Sequence, residues 1–144
     1  MDLHLNPIRE KANKVLEIGV QTVNSVKMWE EYFPNAEIYG FDIDFKCKKF
    51  EQGRIKIIIG DQDNISSLEK IPSDLDVIID DGSHVESHVI KTLNYLYKNR
   101  LKLGGIYLIE DMLLSQNKNL FNLIMDFNNG MNYWPSKYQG PWSQ

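Results

Sequence analysis

Two acidic clusters close apolar runs in this chain. The first run, Val77-Ile78-Ile79, leads into Asp80-Asp81-Gly82-Ser83-His84; about thirty residues on, Ile106-Tyr107-Leu108-Ile109 leads into Glu110-Asp111. Apolar runs of this length read as buried strands, so each cluster sits where a strand leaves the core. A helix-like stretch separates them. They are therefore expected as neighbouring parallel strands whose carboxyl ends open on one edge of a sheet, where open α/β folds bind ligands. Carboxylates gathered there push one another toward protonation unless a cation joins them, and a divalent metal with oxygen ligands is the natural occupant. His84 adds an imidazole, a group suited to removing a proton from a hydroxyl. Asp81 and His84, three apart across the expected start of the next helix, fall on one side of the strand end. A plainer reading makes Asp80 and Asp81 helix caps and His84 an exposed first-turn residue. It must be invoked a second time for Glu110 and Asp111.

The elements that position these residues follow from periodicity. Lys14 to Gly19 and Ala36 to Asp44 read as central strands. Between them Ser25, Val26, Trp29, Tyr32 and Phe33 recur at helical spacing and stop before Pro34. Ile55 to Ile59 is almost continuously β-branched, and Leu75 to Ile79 follows the turn-forming Pro72-Ser73-Asp74. Val85, Val89, Leu93 and Leu96 mark a helix expected to run to Leu101 and stop at Gly104-Gly105, with the fifth strand at Ile106 to Ile109. Asn6-Pro7 predicts a short leading helix over Pro7 to Ala12, and Leu120, Phe121, Ile124 and Phe127 outline a last one. Strands alternating with helices through short connections predict an α/β sandwich with a mostly parallel sheet.

The first strand exits through Gly19-Val20-Gln21-Thr22-Val23-Asn24-Ser25. A dinucleotide would want three glycines here, and only Gly19 is present, so a nicotinamide cofactor is disfavoured. S-adenosylmethionine, which carries no phosphate, suits this loop better. Asp42, ending the second strand, is placed to accept from both ribose hydroxyls, and Asp61 from the adenine amino group. Glu17 or Asp80 would balance the positive charge of the methionine portion. Other readings stay open: Glu17 paired with a lysine, Asp44 as a loop residue or helix cap, and Asp61 with Gln62 as turn chemistry. His88, one turn after His84, is expected on the helix surface.

These blocks together resemble a known family. Leu16-Glu17-Ile18-Gly19-Val20, Lys27-Met28-Trp29, Tyr32-Phe33-Pro34-Asn35-Ala36, Ile38-Tyr39-Gly40-Phe41-Asp42-Ile43-Asp44, Gly60-Asp61-Gln62, Ile79-Asp80-Asp81-Gly82-Ser83-His84 and Gly104-Gly105-Ile106-Tyr107-Leu108-Ile109-Glu110-Asp111 resemble the class I methyltransferases, and among them the metal-dependent sugar O-methyltransferases of macrolide biosynthesis. The resemblance runs from about Lys14 to Asp111. It implies a Rossmann-like sandwich with strand order 3-2-1-4-5. It also implies S-adenosylmethionine bound by Glu17, Gly19, Asp42, Asp61, Gln62 and Asp80, magnesium held by Asp81, Glu110 and Asp111, and His84 as general base. The acceptor would be a hydroxyl of a sugar or glycan-like molecule. Two departures stand out. Gln21-Thr22-Val23-Asn24 replaces the glycine-rich part of the cofactor loop. The family also continues into a further helix and an antiparallel strand pair that is expected to be missing or incomplete here, as in a minimal member, a fragment or a chain completed by a partner.

Composition bounds the remaining possibilities. At 144 residues, 42% hydrophobic and 25% charged, the chain is expected to form one domain over residues 1–144 with a single core. No apolar stretch approaches a membrane span, and the first residues lack an export signal, which points to the cytoplasm. The single cysteine, Cys47, excludes an internal disulfide, and a net charge of −4 lacks the basic footprint of nucleic-acid binding. The aromatic tail, with Tyr133, Trp134, Tyr138 and Trp142, reads as an acceptor wall, a core cover or an interface. Either this tail or a homodimer is expected to cover the edge of the fifth strand. Two rival functions remain at this level: a non-catalytic, degenerate methyltransferase-like binding module, and a metal-dependent hydrolase.

Overall fold

The computed structural model describes residues 2–113 and 115–128. The aromatic tail and the roles expected of it lie outside these residues. A short helix, α1 (Asp2–Leu5), and a 3-10 turn over Asn6–Ile8 precede the first strand, β1 (Lys14–Ile18). There follow α2 (Val23–Tyr32), β2 (Glu37–Asp42), β3 (Ile55–Ile59), α3 (Ile65–Leu68), β4 (Leu75–Asp80), α4 (Glu86–Asn99), β5 (Leu101–Ile109) and α5 (Lys118–Asn128). A second 3-10 turn over Phe45–Phe50 joins β2 to β3. The strands form one parallel sheet in the order β3-β2-β1-β4-β5, as the sequence resemblance implies. Among the described residues no helix is long and apolar enough to cross a membrane.

Strand alternation distributes the core between two faces. Val15, Ile38, Ile57, Val77 and Ile79 pack against Val26, Trp29 and Phe33 of the α2 side. Leu16, Ile18, Tyr39, Phe41 and Ile78 face the opposite layer, with Leu68 and Leu96. Such buried runs stay apolar on both sides because parallel strands are covered on both sides. The end of α2 is fastened from a distance: the Arg54 guanidinium donates to the carbonyls of Glu30, Phe33 and Ala36, satisfying acceptors that a helix terminus leaves open. At the outer edge of β3, Ile57 N donates to Glu51 Oε2 at 3.0 Å, while Lys48 Nζ donates to Ile57 O at 2.9 Å and Lys70 Nζ to Ile59 O at 3.3 Å. Side chains thus occupy edge groups that would otherwise invite another strand. The opposite edge strand, β5, pairs with β4 alone among the described residues.

Three expectations need correction. The leading helix lies over residues 2–8 rather than Pro7 to Ala12, because Pro7 enters a single 3-10 turn and Arg9 caps it by donating to Asn6 O. A segment this short cannot repay helix nucleation alone, and buried Leu5 and Ala12 anchor it instead. Second, α4 ends at Asn99 and Leu101 already pairs with Leu75. Ile106 pairs with Val77, so residues 102–105 bulge from β5, and Gly104 at φ +80° serves that bulge rather than a helix stop. Third, α4 begins at Glu86 after Val85, which contributes no side-chain cap. Asp80 therefore ends β4, Asp81 and His84 lie in the loop before the helix, and the capping explanation for the two aspartates is not realised.

Glu17 lies within β1 and is 3% exposed. Its carboxylate accepts from Ser25 Oγ at 2.8 Å and from Trp29 Nε1 at 2.9 Å, both on α2. No lysine meets it. Burial nevertheless outweighs these hydrogen bonds and pushes the group from 4.5 up to about 7. The folded chain thus holds this proton to a higher pH than the unfolded chain does. The associated stability is full below about pH 4.5 and is lost as pH rises through about 7. Glu17→Gln, which mimics the protonated form, is expected to raise the melting temperature relative to the parent more at about pH 8 than at about pH 5. Thermal unfolding at both values checks this, and an equal offset would contradict it.

Candidate metal and cofactor site

All five strands deliver their carboxyl ends to one edge, and the loops leaving them surround a cavity of about 590 Å³. Its floor is set where β1 and β4 leave the sheet. Gly19 has φ +87°, and a Cβ there would lie 2.1 Å from the Asp81 carbonyl oxygen. Only glycine permits this approach. The adjoining Asp81 N donates to Ile18 O at 3.0 Å, extending the ladder one residue beyond the strands. The loop that follows turns without further glycines: Gln21 adopts φ +44° and donates its backbone N–H to Asp42 Oδ2 at 2.9 Å. A non-glycine residue held in the left-handed region is a local cost, and such costs cluster at functional sites.

Asp42 borders the cavity and accepts from Gln21 N with one oxygen and Asp44 N, at 2.8 Å, with the other. Asp44 accepts in turn from Lys46 N and caps the 3-10 turn, which is the helix-cap reading of its sequence position. Asp61 also borders the cavity, and its Oδ1 accepts from Asp63 N at 2.8 Å, so turn chemistry and exposure to a ligand coexist there. Gln62 is buried and ties two strand ends together. Its Nε2 donates to Asp80 Oδ1 at 2.7 Å and its Oε1 accepts from Ser83 N at 3.0 Å.

Two residues expected to face the cofactor do not border the cavity. Glu17 is turned to the α2 side, where Ser25 and Trp29 hold it. Asp80 is 1% exposed and lies between Gln62 and Tyr107, whose hydroxyl donates to Asp80 Oδ2 at 3.2 Å. Burial pushes Asp80 up to about 6 against the pull of these hydrogen bonds. Both acids brace the site from behind rather than present a charge to it.

Asp81, His84 and Asp111 come together at the mouth of the cavity, each offering a ligand atom within 4.8 Å of the others. His84 Nε2 lies 3.7 Å from Asp81 Oδ1. His84 and Asp111 both hold positive φ, +55° and +53°, a second concentration of backbone strain at this edge. Burial raises Asp81, and the Asp111 charge raises it further while His84 opposes. Glu110 stands outside the tight trio but within its field, raised by burial and by the charges of Asp81 and Asp111. Its Oε1 is buried with no hydrogen-bond partner among the described residues. An orphaned carboxylate oxygen beside two mutually repelling acids is the donor chemistry that a hard divalent cation satisfies. The residues present therefore fit magnesium.

Sequence reasoning missed several wall residues. Ile43 stands beside Asp42, 70% exposed, and borders the cavity; an exposed isoleucine after an acidic strand end was the available signal. Ser83, Asp63 and His88 also line it. His88, expected on the helix surface, instead faces inward, with Nδ1 3.1 Å from Ser83 Oγ and Nε2 3.8 Å from Asp63 Oδ2.

No family model matches the sequence. Individual proteins do. The chain is 35% identical to 8-demethyl-8-α-L-rhamnosyl tetracenomycin-C 2'-O-methyltransferase of Streptomyces olivaceus, over 78% of this chain and 32% of that protein. It is 37% identical to mycinamicin VI 2''-O-methyltransferase of Micromonospora griseorubida, over 77% of this chain and 30% of that protein. Among solved structures, MycE methyltransferase from the mycinamycin biosynthetic pathway, in complex with Mg, SAH and mycinamycin VI, matches with a TM-score of 0.73 and 35% identity, covering 83% of this chain and 33% of that one. The chain thus spans about a third of the length of the curated relatives it matches. Over that third it has the class I methyltransferase fold, and its homologues are sugar O-methyltransferases of macrolide and tetracenomycin pathways.

Proposed function

We propose that this chain binds S-adenosylmethionine and magnesium and methylates a hydroxyl of a sugar or glycan-like acceptor. The observation that carries the proposal is the convergence of Asp81, His84 and Asp111 on the cavity that Asp42 and Asp61 border, with Glu110 next to Asp111 in the chain. Homology to sugar O-methyltransferases supports it, as does the Mg and SAH complex of MycE.

When bound, the sulfonium cofactor supplies an activated methyl group, and the metal makes an acceptor hydroxyl easier to deprotonate. The rest is work for the chain's own residues. Asp42 accepts from the ribose diol. Each of its oxygens already takes one backbone N–H, which fixes the carboxylate while leaving lone pairs for the ligand. Asp61 accepts from the adenine amino group. Gly19 keeps the methionine end close to the metal end by letting the two strand exits touch. Asp81, Glu110 and Asp111 hold the metal. His84 takes the proton from the acceptor hydroxyl, oriented by Asp81 at 3.7 Å. Gln62 lines the cavity and meets the cofactor there, held by Asp80 and Ser83. Glu17 and Asp80 act behind the wall: Glu17 ties β1 to α2, and the Gln62–Asp80 pair ties the β3 exit to β4.

The glycine-poor loop is the feature that favours a non-catalytic binding module. Gln21 answers part of that objection, since it bends the loop at positive φ and orders Asp42. We further propose a cytoplasmic protein acting on a small-molecule or glycan acceptor, with no nucleic-acid or membrane partner, and with the edge of β5 covered either by the aromatic tail or by a homodimer.

Calorimetry is expected to show S-adenosylhomocysteine binding, with Asp42→Ala weakening it by roughly tenfold or more, as loss of a charged hydrogen bond entails. No heat at millimolar ligand would end the cofactor proposal. Magnesium titration is expected to show binding that Asp111→Asn and Glu110→Gln each weaken, and methyl transfer to a sugar panel is expected to stop in chelator. Transfer that persists without metal would contradict this assignment. His84→Ala is expected to lower turnover on the order of 10²- to 10⁴-fold with magnesium affinity retained. An unchanged rate would remove His84 from the role of base.

A further inference from the structure

Three residues on one face of α4 reach the loop that follows β3. His88, Lys91 and Thr92 sit at positions i, i+3 and i+4, so their side chains share that face. Lys91 Nζ donates to Asp63 O at 2.8 Å and also to the Asp63 carboxylate. Thr92 Oγ1, fully buried, lies within hydrogen-bond distance of Gln62 O at 3.3 Å and of its own helix at His88 O, 2.9 Å. His88 differs from both because it touches two loops. Its Nδ1 is 3.1 Å from Ser83 Oγ, in the loop leaving β4, and its Nε2 is 3.8 Å from Asp63 Oδ2, in the loop leaving β3. A neutral imidazole satisfies both sides at once, accepting from the serine hydroxyl at Nδ1 and presenting Nε2–H to the carboxylate. The serine arm is at hydrogen-bond length, while the aspartate arm is an electrostatic contact.

Gln62, Asp63 and Ser83, the residues these contacts reach, all border the cavity, as does Asp61 beside Gln62 in the chain. We infer that His88 is a positioning residue that clasps the loops after β3 and β4 into one wall against the base-binding end of the cofactor. The inference rests on the cofactor reading proposed above. A second bridge runs beneath the clasp, because Gln62 Oε1 accepts from Ser83 N at 3.0 Å. The Gln62 bridge is buried and fixes the backbone. The His88 bridge is at the rim, where it sets the spacing of Ser83 and Asp63 and leaves the core untouched.

The test measures S-adenosylhomocysteine affinity by calorimetry for the 144-residue chain and for His88→Ala, His88→Asn and Lys91→Met, with amide hydrogen exchange on each ligand-free protein. His88→Ala is expected to weaken binding roughly fivefold to tenfold, the size of one lost hydrogen bond. Asparagine, whose amide reaches about as far as Nδ1, is expected to recover the serine arm and part of the affinity. Exchange at Asp63 and Asn64 is expected to quicken in His88→Ala and Lys91→Met while amides of β1 and β2 keep their protection, and magnesium affinity stays constant. Equal affinity in the parent and His88→Ala would overturn the clasp alone. Quickened exchange throughout the sheet, or no recovery by asparagine, would reduce His88 to a packing residue and overturn it too. Failure of the parent to bind at all would overturn the cofactor reading and the clasp with it.

Discussion

The site depends on one close approach. β1 and β4 are neighbours in the centre of the sheet, and their exits pass so near each other that Gly19 has room for a hydrogen and nothing larger beside the Asp81 carbonyl. On one side of that contact the chain turns through Gln21 toward Asp42. On the other it turns through Asp81 toward His84. A side chain at position 19 would part the two loops and separate Asp42 from Asp81 and Asp111. The adjoining Asp81 N to Ile18 O bond holds the approach from the other strand. Spacing between two functional halves is thus set by backbone contact, the stiffest means available to a protein.

Around this contact the carboxylates divide by face. Side chains of a strand alternate, so successive acids at a strand end cannot all point the same way. Asp80 turns inward to Gln62 and Tyr107, and Asp81 turns to the cavity. Glu17 lies on the opposite face, held by Ser25 and Trp29. The buried pair are raised toward neutrality by desolvation, to about 7 for Glu17 and about 6 for Asp80, and each is satisfied by neutral donors. The exposed acids repel one another instead. One population of acids braces the strand ends, and the other carries the mutual repulsion that the proposed metal would relieve.

Much of the fold was legible because its causes are local. The β-branched run Ile55 to Ile59, the helical spacing of Val26, Trp29 and Phe33, and the acidic strand ends each carry their meaning within a few residues, and alternation of strands and helices leaves few windings. Errors arose where a distant partner decided the local structure. Gly104-Gly105 has the composition of a helix stop, yet the pairing of Leu101 with Leu75 and Ile106 with Val77 makes that stretch a bulge. Val85 has no capping side chain, so Asp80 and Asp81 read as the caps of a helix that in fact starts at Glu86.

By itself the sequence determined which residue types stand at the strand ends: Asp42, Asp61, Asp81, Glu110 and Asp111, with His84 close behind. It determined the sheet order through its resemblance to a family, and with it the expectation of a metal and a sulfonium cofactor. Only the tertiary structure decided which of those acids reach the cavity. Glu17 and Asp80 carry the same functional group as Asp42 and Asp81, and nothing in their composition separates them. Burial against Trp29 and Gln62 does, because a carboxylate with its lone pairs satisfied inside the core is no longer offered to a ligand. His88 passed the other way, from an apparent surface residue to the wall, since its two partners lie in loops that meet only after the sheet is assembled. Side-chain chemistry is written in the chain, but availability depends on what folds in front of each group.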